Sequence, residues 1–224
     1  MMYLVLLALL AMNVSAEILD AFENIHQRLQ NSSAEALNGS EKFMKSMKDE
    51  IAEEIANEGK DDNAGLVDTL DQIKGETSSL IGLLDKHMNH LTDSIIKVDP
   101  ESGALLSKGE TEKNLQYWMG SGKQQEMNNG SGEGEAIKLR QALNDYANYI
   151  AGLYNSQVAD AKNRIEPSLV PESISGQDGN SKSWERYTFE GPAIANVATL
   201  EAMKLDIYEQ EKDLLNLLNN RLGV

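Results

Sequence analysis

Apolar side chains recur at spacings of three and four along most of the chain, the period of a helix that buries one face. Phe43, Met47, Ile51 and Ile55 return at every fourth position up to Gly59. Leu66, Leu70, Ile73, Leu80, Leu84, Met88, Leu91 and Ile95 form a longer stripe, interrupted by GETSS at 75–79 and ended before Asp99-Pro100, because the residue before a proline disfavours the helical region. A further stripe runs through Ile137, Leu139, Leu143, Tyr146, Ile150, Leu153, Tyr154 and Val158, from about Glu135 to Arg164, with Pro167 and Pro171 beyond it. The last helix is expected after Gly191-Pro192, proline suiting a first turn. Its apolar face is Ile194, Val197, Leu200, Met203, Leu205, Ile207, Leu214, Leu217 and Leu218, with Gly223 closing it. Between these stripes, 99–135 is glycine-rich with one apolar island, LQYWM at 115–119, and 172–183 is polar; both are expected as loop, the island as a short helical turn.

The first sixteen residues, MMYLVLLALLAMNVSA, carry no charge. An apolar run of this length followed by Val14, Ser15 and Ala16 has the outline of a cleavable leader, and at about 1.5 Å per residue it reaches only about 24 Å, short of the roughly 30 Å of a bilayer core. The helical pattern nevertheless continues: Ile18, Phe22, Ile25 and Leu29 follow at spacings of four, three and four, a heptad-like seam suited to pairing with a second copy. The run is therefore taken as a transmembrane anchor over 1–16, continuing into an extracytoplasmic bundle over 17–224. Its helix is expected to extend to about Gln30 and to break at Asn31–Ser33, where capping side chains cluster. With no basic segment ahead of it, a short cytoplasmic tail is expected upstream of Met1.

Composition narrows the function. A net charge of -16 argues against nucleic acid and anionic lipid surfaces. With no cysteine, 5% aromatic content and apolar residues at helical spacing, the class is all-α, an elongated antiparallel helical bundle that does not rely on disulfides.

Nothing in the pattern points to catalysis or to a cofactor. There is no GxSxG and no phosphate-cradling glycine loop, and the glycines at 130, 132 and 134 stand in acidic company. His87 and His90 could share a metal face with Asp85 or Asp93, but spacing fixes no third ligand, so packed or solvated histidines are expected. Asp61, Asp62, Asn63 and Gly65 resemble a calcium loop, yet Gln72 stands where the bidentate glutamate belongs. Polar groups in the apolar run are the more informative ones: Tyr3 and Asn13 are candidates for contact with a partner inside the membrane, Tyr3 being equally explicable as an interfacial belt residue.

Two blocks carry a resemblance. The opening MMYLVLLALLAMNVSAEILDAF resembles the start of the GldM/PorM proteins of the type IX secretion and gliding machinery of Bacteroidota, and WERYTFEGPAIANVATLEAMKLDIYEQE, with its Trp184, Phe189, Pro192, Ala195, Leu200, Asp206 and Glu211, resembles the end of that family's first periplasmic domain. The resemblance implies an inner-membrane homodimer with its N-terminus cytoplasmic and its C-terminal part periplasmic. Its two membrane helices would stand within a pentamer of GldL/PorL type, where proton flow drives a rotary motor. It implies that Tyr3 matches the family's membrane tyrosine, close to a buried glutamate of that partner. Contact with outer-membrane components of the GldK/GldN or PorK/PorN type would pass through β-sandwich domains beyond Val224. The alternatives are a membrane-anchored ligand-sensing ectodomain with a pocket near Trp118 or Tyr146, and a secreted helical protein with a cleaved leader.

Overall fold

The computed structural model describes residues 15–58, 64–120, 134–158, 161–175 and 181–222. The described part is mostly helical, as the apolar stripes require, and it divides into two compact units.

Helix α1 spans Ala16–Glu58 without interruption. The expected break at Asn31–Ser33 is absent: Ser33 is buried at 3% exposure while Asn31 and Ser32 face solvent. Capping side chains end a helix only where the backbone leaves it, and here the helix continues to present core residues Met44, Met47 and Ile51. Helix α2, Ala64–His90, likewise runs through the GETSS segment. It passes into a π-helical turn, Leu91–Ile96, ahead of Asp99-Pro100. Bonding five residues apart brings residue i+5 back toward the face of residue i, so Leu91, Ile95 and Ile96 are all buried. The turn ends at Lys97, whose φ of 61° is left-handed and whose N–H donates to the Thr92 carbonyl at 2.8 Å.

The apolar island forms α3, Glu112–Met119. Helix α4, Glu135–Gln157, is shorter than its stripe suggested. Asn155 exchanges two 2.8 Å hydrogen bonds with the backbone of Ile165, which fixes the chain as it turns back after the helix. The polar stretch expected as loop holds two short antiparallel strands, β1 (Ser173–Ser175) and β2 (Ser181–Ser183), with Ser173 opposite Ser183. A short helix α5, Trp184–Phe189, follows, its N-terminus capped by Ser183. Helix α6, Ala193–Leu222, begins directly after Pro192; Gly223 lies outside the described residues.

The first unit comprises residues 15–29, 85–140 and 171–201 as far as they are described. Its core is built around Trp118 and Phe189, both fully buried, stacked at 3.9 Å between centroids with 12° between planes. The second comprises 30–84, 141–170 and 202–224, again as far as described. Its core includes Met47, Ile51, Leu70, Ile73, Leu84, Ile150, Leu214 and Leu218. Ion pairs Lys48–Asp71 and Glu41–Lys74 run the numbering of α1 against that of α2, which makes the two helices antiparallel there.

Candidate functional site: the strap over the first helix

Residues 107–110 form a strap tied to two helices of the first unit. On one side, Lys108 Nζ donates to Asp20 Oδ1 at 2.5 Å and to Glu23 Oε2 at 2.8 Å. These acids stand one turn apart on α1, so a single ammonium spans them, and their hydrogen bonds hold its pKa above the ordinary lysine value. Gly109 lies close against Leu19: a Cβ placed there would stand 3.2 Å from a Leu19 methyl. On the other side, the Ala193 N–H donates to the Glu110 carbonyl at 3.0 Å and the Ile194 N–H to the Lys108 carbonyl at 3.2 Å. The strap therefore satisfies two of the orphan donors at the start of α6 while its side chain grips the start of α1.

Behind it, Asn114 of α3 links three elements of the same unit. Its amide donates to the carbonyls of Phe189 and Gly191, its Oδ1 accepts from Trp118 Nε1 at 3.1 Å, and Asn196 adds a bond to the Phe189 carbonyl. A buried side-chain amide with its bonds made specifies one arrangement of its neighbours. Arg140 and the buried Glu185 lie 2.6 Å apart without the alignment of a directed hydrogen bond, so charge rather than geometry holds them.

Of the two histidines three apart on α2, His87 is part of this core and His90 is not. His87 is fully buried; its Nδ1 lies 2.5 Å from the Tyr117 hydroxyl and its ring packs on Trp118. Burial pushes its pKa down to about 4, against the smaller opposing pull of Glu135. His90 is exposed and stacks on Tyr117 at 4.2 Å. Among the described residues no three histidines, aspartates or glutamates are grouped to hold a metal ion.

Of the seam residues, Ile18 and Ile25 are 50% and 46% exposed, seven positions apart on α1, while Phe22 and Leu29 are half-buried. Tyr3 and Asn13 lie outside the described residues, as does the rest of the apolar run and the Asp61–Asn63 cluster. Among the described residues no helix is long and apolar enough to cross a membrane. Trp118 and Tyr146 are buried, and neither lines either of two grooves in the second unit, of about 390 and 340 Å³.

Residues 17–221 match the GldM N-terminal domain. The chain belongs to that family. Membership associates it with gliding and type IX secretion and accounts for a helical domain over the matched span. No curated protein matches the chain. The strap and the Asn114 network escaped the sequence reading because Lys108 and Asp20 are 88 positions apart and neither stands out from its neighbours in charge or pattern. The pairing of WERYTF with the island LQYWM was visible only as two isolated aromatic clusters.

Proposed function

We propose that this domain is the first periplasmic part of a dimeric, single-pass inner-membrane subunit in a rotary motor driven by the proton-motive force and serving type IX secretion and gliding. In this reading residues 1–16 form the anchor and residues 17–224 the periplasmic domain. Tyr3 and Asn13 face a multi-helix partner of the GldL/PorL type, and the seam of Ile18, Phe22, Ile25 and Leu29 pairs with the second copy. Further domains beyond Val224 reach outer-membrane components. The protein acts as a mechanical element and not as an enzyme.

The observation that carries the reading is the strap. Motion delivered along a membrane helix must enter the folded domain at the start of α1, and there Asp20 and Glu23 are fastened through Lys108 to the residues that cap α6. Exposed Ile18 and Ile25 on one stripe of α1 support pairing with a second copy.

Native mass spectrometry of the complex extracted in mild detergent tests the assembly: two copies with a co-purifying multi-helix membrane protein are expected, and a lone monomer would overturn the reading. Tyr3→Phe is expected to leave that complex assembled while lowering secretion or gliding; full activity would remove Tyr3 from the mechanism.

A further inference from the structure

Four helices of the second unit each send one polar side chain into a single buried layer. Ser40 of α1, Thr77 of α2, Tyr146 of α4 and Glu211 of α6 are all between 3% and 6% exposed. Ser40 Oγ donates to Glu211 Oε2 at 2.5 Å, and the Thr77 and Tyr146 hydroxyls are 2.9 Å apart.

Counting protons orients the layer. An ionised carboxylate only accepts, so Ser40 gives it its proton, while Thr77 and Tyr146 bond to each other beside it. With Glu211 protonated, the acid becomes a donor and a hydroxyl reverses. Both forms can be hydrogen-bonded without moving a helix, which is what a reversible proton site needs. Among the charged groups around it, Lys74 on α2 and Glu41 on α1 act on Glu211 with opposite signs, and Glu76 acts on Tyr146.

Access is built in as well. Ser40 also lines the groove of about 340 Å³, together with Glu35, Gly39, Phe43, Tyr208 and Lys212, so the hydroxyl that holds the carboxylate stands in the wall of a solvent-facing depression.

We propose that Glu211 is a proton-binding site at the junction of these four helices, and that proton uptake there tightens the second unit. Burial, the largest influence on the group, raises its pKa above the ordinary glutamate value, with the Ser40 hydrogen bond opposing. For an acid whose pKa is raised on folding, the stabilisation is fully present below the unfolded value of about 4.3. It is lost as pH rises through the folded one. The proposal does not depend on the motor reading, since it concerns this chain alone.

The test is an infrared titration of the purified full chain in detergent, following the carbonyl band of protonated carboxyls in wild type and Glu211→Gln. The expected result is a band that persists above the ordinary glutamate range in wild type and is missing from Glu211→Gln. The wild-type melting temperature, referred to that of the variant, should fall as pH rises through the same interval. A spectrum and a pH profile unchanged by Glu211→Gln overturn the proposal. Should that variant fail to fold, Ser40→Ala decides: it removes the donor to the carboxylate, so the band should titrate at higher pH, and an unmoved midpoint overturns the site.

Discussion

Lys97 and Gly134 hold backbone positions at which a Cβ is unfavourable, at one for its backbone angle and at the other for want of space. Lys97 adopts a left-handed φ of 61°, which a residue with a Cβ reaches at a cost of about 1–3 kcal/mol. Lys97→Gly is therefore expected to leave stability unchanged or raise it by about 1 kcal/mol, read from urea unfolding, although glycine normally weakens a chain through unfolded-state entropy. Gly134 opens α4 against α3: a Cβ there would overlap the Trp118 carbonyl oxygen and crowd the Met119 carbonyl carbon. Gly134→Ala should lower the melting temperature, because the obstruction is backbone and cannot swing aside. His87 gives the residue scale its pH dependence. With a pKa pushed down to about 4 from 6.5, the neutral ring stabilises the fold above pH 6.5, and this is lost as pH falls toward 4. The loss amounts to about 3 kcal/mol at most. His87→Gln should flatten that part of the stability curve.

At the scale of elements, the ion pair Arg140–Glu185 and the continuity of α1 are the places to press. Arg140→Met leaves the buried Glu185 uncompensated and should cost about 3–5 kcal/mol, whereas the double change Arg140→Met with Glu185→Leu should recover most of it. Chemical denaturation of the single and the double variant checks this. Ser32→Pro, in the middle of α1, should cost about 3 kcal/mol. If the helix were broken at that point, as the side chains there first implied, the change would be nearly neutral.

That contrast shows how far the elements were legible. Stripes such as Leu70, Ile73 and Leu84, or Ile194, Val197 and Leu200, are buried as their spacing required, because burial of one face is what sets the period. Ser33 and Thr77 misled, because a hydroxyl serves equally as a cap in a loop and as a small polar plug inside a bundle. The end of α4 could not be seen either: Asn155 and Ile165 meet only once the chain has turned back. The strap was hidden for the same reason, its partners being remote in sequence.

For the molecule as a whole, the two titrations run in opposite senses. Acidification below pH 6.5 weakens the first unit through His87, while the raised pKa of Glu211 makes the second unit firmer over the range between its folded and unfolded values. Hydrogen exchange at several pH values should resolve the two: amides of the first unit should lose protection as pH drops, those of the second should gain it, and each trend should vanish in its own variant. The excess of acidic groups, 36 against 20 lysines and arginines, should favour basic over acidic surfaces as docking partners, with an affinity that falls as salt rises.

The wide turn at Leu91–Ile96 fits one more residue into a revolution than the helix before it would allow. It acts as a phase adjuster. Shortening it by a single amino acid would restore an ordinary coil, rotate Ile96 out of the interior and carry the following segment, Lys108 included, round with it. The grip on Asp20 would be lost with every one of its own residues still present.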